Sequence, residues 1–418
     1  DDAYTTVDVD VKGSHGGTLH ANGSYADFDA GEWQQLLTAN RGGELTLTVR
    51  AARDGQWTEY RPFTIHVSRE PMGEWGITYR RVAPGYALFG RMGIYQRELA
   101  SFDESPIVTN RANNLGCVNC HTFDGRSPER MLFHARGRGG GTVFADGDQV
   151  KVLNLTQMGP HRQGTYPAWH PEGRFVVFSS NNTRQCFTIR HEQPIEVYDT
   201  ESDLIVYDSA TDSVQMLVQT PATLETFPAW SPDGRTLYWC QAEDTGRIPY
   251  SRGEIHYRLM AAPFADGRLV GEAREIFGGD SCSVSFPRVS GKWLLFTSSD
   301  FGTFPIWHKE AQLVLLDLET GLTREACEIN SDETDSYHSW SSNGRWVVFS
   351  SRRIDGRYTR LFISHFDGEG HFSKPFLLPQ EDPDHNQLRL KSYNIPEFIS
   401  GRVPDRQEAI AGLFKEEE

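Results

Sequence analysis

The chain is poor in the features that mark membrane, nucleic-acid and phosphate-handling proteins. In its 418 residues no apolar run approaches the roughly 18 needed to cross a bilayer, so the given chain reads as soluble. Basic side chains are outnumbered, 41 Lys and Arg against 57 Asp and Glu, for a formal net charge of -16. That balance excludes a nucleic-acid binder, which needs a basic face to displace counterions from phosphates. Gly139-Gly140-Gly141 lacks the Lys-Ser/Thr and the helix pattern of a phosphate loop, and no Gly-x-Ser-x-Gly elbow occurs. The chain opens Asp1-Asp2-Ala3-Tyr4, with neither an initiator Met nor an apolar leader. It reads as a processed chain whose export signal or lipid anchor is out of view.

What is present is apolar and aromatic residues, 38% and 12%, enough to build sizeable cores and to exclude wholesale disorder. The length suits two or three domains, or one repetitive domain with an appendage. One phrase recurs. It runs Tyr166-Pro167-Ala168-Trp169-His170-Pro171-Glu172-Gly173-Arg174 and then Phe227-Pro228-Ala229-Trp230-Ser231-Pro232-Asp233-Gly234-Arg235. Weaker copies start at Phe286-Pro287-Arg288 and at Tyr337-His338-Ser339-Trp340. Each copy leads through a Gly-containing reversal into a short β-rich run such as Phe175-Val176-Val177-Phe178, the pattern of a hairpin. A second strand pair follows each, and the roughly 50–60-residue spacing is the arithmetic of four-stranded propeller blades. The fold class predicted is all-β, a β-propeller of five or six four-stranded blades.

The phrase resembles the WD40-like repeats of the TolB-type propeller family, whose signature runs Pro-x-Trp-Ser-Pro-Asp-Gly-Arg. The resemblance covers roughly residues 115–380 and implies a ring of blades around a central channel, in an envelope or periplasmic location. Residues 381–418 form a tail, with a role in closing the ring left open. Residues 71–114 read as a linker with strands for a closing blade, Tyr86-Ala87-Leu88-Phe89 and Met92-Gly93-Ile94-Tyr95-Gln96. Residues 1–70 alternate polar and apolar side chains, as in Tyr4 to Val11 and Glu44 to Val49. They predict a small immunoglobulin- or fibronectin-like β-sandwich.

Of six cysteines, two stand in the string Cys117-Val118-Asn119-Cys120-His121. Cys-x-x-Cys-His is the attachment signal of c-type haem: two thiols add to the porphyrin vinyl groups, and the adjacent imidazole ligates the iron. A thioredoxin-like pair would want a following helix, a structural zinc site a second Cys-x-x-Cys, and a disulfide across two residues would be strained. The expected cofactor is one covalent haem c on Cys117 and Cys120, with His121 the proximal iron ligand. Distal ligand candidates are His134, His338 and His170, in that order, with Met131 and Met158 as sulfur options or an open sixth position. The segment also resembles cytochrome-containing TolB-like proteins of the bacterial envelope, through this motif followed by Phe133-His134-x-Arg136. Aligning Asp124-Gly125 with Asp233-Gly234 puts the motif in the first blade, with His121 at the place of Trp230 and Asn119 at that of Pro228 and His338.

Cys186, Cys240, Cys282 and Cys327 allow three pairings that spacing does not rank, and Cys240 in an apolar strand reads as a buried thiol. The function expected is a mono-haem c-type cytochrome of the periplasm or cell envelope, passing electrons to or from a partner protein. The acidic surface would favour a basic partner. Membrane association is expected only through a subunit partner or a removed lipid anchor. Two alternatives stand beside it: a non-redox protein- or glycan-binding propeller with structural haem, and a haem peroxidase.

Overall fold

The computed structural model describes residues 4–83, 92–113, 115–137, 140–155, 164–187, 195–244, 255–382 and 384–415. It divides into two compact units, Asp1–Met72 and Gly73–Glu418. Tyr86 to Phe89, named above as strand residues, and Met158 lie outside the described residues. No described helix is long and apolar enough to cross a membrane.

The first unit is one antiparallel sheet with a helix, which corrects the expectation of two packed sheets. Its central strands Thr6–Gly13 and Glu44–Arg53 pair along their length. Thr18–Gly23, Gln56–Glu59 and Phe63–His66 complete the five-stranded sheet. The helix Ala30–Ala39 takes the place of a second sheet. The Asp29 carboxylate caps it by accepting from the N–H groups of Gly31 and Glu32. Leu36 then packs on Val9, Val11 and Leu45. Asp29 followed by Trp33, Leu36 and Leu37 is a helix signal the strand alternation overshadowed.

The second unit is a six-bladed propeller. Blade one holds Val118–Phe123, Arg130–Ala135, Gly141–Asp146 and Gln149–Val152. Blade two holds Thr165–Trp169, Phe175–Phe187, Ile195–Asp208 and Ser213–Val218. Blade three, with a fifth short strand, starts at Thr223–Trp230, blade four at Ser283–Ser290 and blade five at Asp335–Trp340. Blade six is built from both ends of the unit. Ser392–Ile399 pairs with Gly76–Val82, which continues through Gly93–Glu98 to Glu104–Thr109. This closure leaves the ring without an open seam that could recruit another chain.

The repeat phrase explains the local structure. In blade three Ser231 Oγ donates to Asp233 Oδ1 (2.6 Å) and accepts from the Thr236 N–H (2.9 Å), so the turn is bonded shut. Ser341 and Asn343 repeat this in blade five (2.7 Å). The turn needs a left-handed residue, supplied by Gly234 (φ 70°) and Gly344 (φ 63°). The phrase's Trp then packs between blades. Trp230 Nε1 donates to Ala168 O (3.0 Å) and its ring lies 4.6 Å from that of Phe264.

Candidate functional site

Every first strand carries the same irregularity. Its pairing with the second strand slips by one bulge, and one residue turns left-handed: Cys120, Tyr166, Phe227, Phe286, Tyr337 and Ile395, all at φ 48–52°. Each first strand contacts the next around the ring. The bulge side chains meet there: ring centroids lie 4.4 Å apart for Tyr166 and Phe227, 4.1 Å for Phe227 and Phe286, and 4.6 Å for Phe286 and Tyr337. Cys120 is the small member of this plug.

The bulge fixes the register of the cysteine motif and corrects the alignment made on Asp124-Gly125. His121 falls at the place of Pro228, two residues from Trp230, and Phe123 takes the Trp position. His338 therefore shares the register of His121 and not that of Asn119. The alignment slipped because the blade-one turn is longer. Asp124–Arg126 coils as a 3-10 turn before the second strand starts at Arg130, so its Asp-Gly pair comes early.

Beside the plug lies a cavity of about 430 Å³, bordered by all six first strands. His121, His170 and His338 line it; His134, Cys117 and Cys120 do not. The residue two places after each bulge faces it: Thr122, Ala168, Ala229, Arg288, Ser339 and Glu397. Blades two and three thus contribute methyl groups and the indoles of Trp169 and Trp230, whereas blades four, five, six and one contribute Arg288, His338, Glu397 and His121. Trp340 of blade five adds a third indole, and His170 of blade two a third imidazole.

The histidines differ in their commitments. His170 has both nitrogens engaged, Nε2 with Gly234 O (3.1 Å) and Nδ1 accepting from the Glu172 N–H (3.2 Å). His134 is buried with Nδ1 3.4 Å from Thr142 Oγ1. His338 donates Nε2–H to Leu295 O (2.8 Å), which leaves Nδ1 as a bare acceptor without a partner. His121 is 3% exposed and neither ring nitrogen has a partner among the described residues. Burial, helped by the Arg80 charge, pushes its pKa down to about 3, so the imidazole is neutral. Glu397, which accepts from Thr122 Oγ1 (3.1 Å) and the Phe123 N–H (3.4 Å), is pushed up to about 7 by desolvation against the pull of Arg288.

All six cysteines are free thiols, so no disulfide joins Cys186, Cys240, Cys282 or Cys327, and Cys240 is fully buried. Cys117 accepts from Arg80 Nη2 (3.1 Å). Burial raises the pKa of Cys120, against the Tyr166 N–H and the charges of Arg136 and Arg80. The donor set fits a covalent haem in its chemistry: two unoxidised thiols three residues apart and a neutral imidazole whose one nitrogen lone pair is uncommitted. The thiols sit at the plug and at the strand's start, and the imidazole looks into the cavity. Sequence reasoning passed over Arg288 and Glu397. Their signal was present, since each puts a charge where stronger copies of the phrase have Ala.

No family model matches the chain, and no curated protein matches it. Solved structures do. Hydrazine synthase from Kuenenia stuttgartiensis aligns with a TM-score of 0.52 at 11% identity, over 81% of this chain and 48% of that one. An Agrobacterium tumefaciens protein assigned as TolB aligns at 0.44 and 13% identity, over 78% and 99%. An oligogalacturonate lyase in complex with manganese aligns at 0.43 and 13%, over 72% and 73%. The likeness is one of fold. It agrees with the propeller expected from the repeats.

Proposed function

We propose that this chain is a c-type cytochrome on a propeller scaffold, exchanging electrons with a partner protein outside the cytoplasm. The observation that carries the reading is His121: an imidazole directly after Cys-x-x-Cys, buried, neutral and without a partner for either nitrogen. A buried polar group left unsatisfied costs about 1–3 kcal/mol, so a bound metal is an economical reason for it. Cys117 and Cys120 would each add across a vinyl group, sulfur bonding to one carbon and the thiol hydrogen passing to the other, with no oxidant needed. The haem, when bound, supplies an iron that takes up one electron from a donor and returns it to an acceptor. The protein's part is to hold the imidazole orientation through the strand Val118–Phe123 and to keep the surroundings rigid. The net charge of -16 favours a basic partner, with association weakening as salt rises.

The test is the visible spectrum in both oxidation states together with intact mass, on protein made in cells that attach haem c. A Soret band and a mass raised by one haem are expected. The bare polypeptide mass would overturn the reading. Added cyanide or carbon monoxide separates electron transfer, where the iron refuses ligands, from peroxidase chemistry, where it accepts them.

A further inference from the structure

The cavity beside the plug holds a polar sector that the cysteine motif does not account for. Arg288, His338 and Glu397 come from the consecutive blades four, five and six, at neighbouring levels of the ring. Arg288 has no ion-pair partner among the described residues. It donates from Nη1 to the backbone of its neighbour, Pro287 O (3.0 Å), and Glu397 is the opposing charge that acts on it most strongly. Arg288 is half-buried and Glu397 is not at ion-pair distance from it, so its remaining donors are open to a planar carboxylate, the natural complement of a guanidinium. His338 Nδ1 asks for the reverse. It is an acceptor on a side chain 3% exposed, it has no partner, and its tautomer is held by Leu295 O. Trp169 Nε1, from blade two, is a further buried donor without a partner among the described residues.

We propose that the channel cavity binds a small hydroxycarboxylate, its carboxylate on Arg288 and its hydroxyl donating to His338 Nδ1. The carbon chain lies against Ala168, Ala229 and the indoles of blades two and three. A plain carboxylate would leave His338 unanswered, and a neutral polyol would leave Arg288 unanswered; one ligand carrying both groups satisfies both. Glu397, near its midpoint at neutral pH, is able to accept from or donate to a second hydroxyl. The volume of about 430 Å³ falls in the range of small-molecule sites, about 300–1,000 Å³. The site does not rest on the haem reading, since none of its three polar residues belongs to the cysteine motif.

The experiment is calorimetric titration of the full chain with gluconate, with acetate and glycerol as comparators. It is run on the wild type and on the Cys117→Ala, Cys120→Ala protein. Gluconate should bind the Cys117→Ala, Cys120→Ala protein, whose cavity carries no covalent haem beside His121, and acetate and glycerol at least tenfold more weakly; wild type that carries haem should bind it more weakly than this variant. Arg288→Met should lose at least tenfold in affinity, and Arg288→Lys should recover part of it. Tryptophan emission from the Cys117→Ala, Cys120→Ala protein keeps the test decisive should Arg288→Met not fold, because Trp169, Trp230 and Trp340 line the cavity. A saturable change with gluconate and none with acetate supports the site. No binding at millimolar gluconate, equal binding of acetate, or undiminished binding to folded Arg288→Met overturns it. The haem reading fails separately, on the mass measurement.

Discussion

His121 and His338 occupy one and the same position in two different blades, the residue directly after the left-handed bulge, where the other four blades carry Pro167, Pro228, Pro287 and Pro396. Both rings are buried, and burial lowers the pKa of each to about 3. They differ in what holds them. His338 is bonded to Leu295 O, and neither nitrogen of His121 has a hydrogen-bond partner among the described residues.

Equivalent substitutions should therefore have opposite effects. In His121→Ala, covalent haem should be retained, as read by mass, while the visible bands shift and added imidazole moves them back. In haem-free protein this substitution should cost less stability than His338→Ala, since no hydrogen bond is lost. His338→Ala should leave the spectrum unchanged and cost roughly 1–3 kcal/mol in urea unfolding, because the Leu295 carbonyl loses its donor. A spectrum insensitive to His121 would remove the iron from that side chain.

Gly234 tests the turn and the cavity wall together. Its φ is 70°, and a Cβ there would meet His170 Nε2 at 2.2 Å, the atom that bonds Gly234 O. Gly234→Ala should destabilise the propeller by about 1–3 kcal/mol through left-handed strain alone, and more if His170 is displaced. Chemical denaturation gives the magnitude. Gly279→Ala, which has open space and a conformation that asks for no glycine, is the neutral comparison.

Much of the propeller was legible because its physics is local. Ser231, Asp233 and Gly234 close a turn within a few residues, and Trp230 needs only the neighbouring blade, so each copy announces itself. The stretch around Lys391 to Ile399 was legible as a piece able to help close the ring but not as a copy of the phrase, because its Trp and its Asp-Gly are gone; it forms the closing strand by pairing with Gly76–Val82. The cysteine motif was legible as chemistry and misplaced by two residues. Its register is set by the bulge at Cys120, a property of strand pairing across the ring that no turn dipeptide reports. Arg288 and Glu397 lie more than 100 residues apart, and only ring closure brings them to one cavity.

Glu397 should make stability fall with rising pH. Desolvation raises its carboxyl from 4.5 to about 7, so the neutral form is favoured in the folded state. Its contribution is fully present below the unfolded value and is lost as pH rises through about 7. Glu397→Gln keeps an acceptor for Thr122 and Phe123 without the charge. It should be more stable than the wild type at pH 8, by up to roughly 3 kcal/mol. The two proteins should converge near pH 4. Urea titrations at both values check this, and a variant less stable at pH 8 would show that Arg288 needs the carboxylate.

His308 gives a second window of the same sign, from a different cause. It is fully buried, with Nε2 2.8 Å from Glu196 Oε2 and Nδ1 3.0 Å from Glu310 Oε1. Burial alone would lower its pKa, but the bonds to the two carboxylates outweigh that and raise it to about 9. Glu196 belongs to blade two and His308 to the connection before the third strand of blade four, so the imidazolium ties two non-adjacent blades. Because the folded value exceeds the unfolded 6.5, the stabilisation is complete below about pH 6.5 and is lost as pH passes through about 9. The shift corresponds to roughly 3 kcal/mol at most. His308→Gln keeps one hydrogen-bond donor and abolishes the charge. It should be clearly less stable than the wild type at pH 6, and the gap should narrow to its hydrogen-bonding remainder at pH 9.5. A gap that stays constant across that range would mean that the ring is neutral and that Glu196 holds the proton.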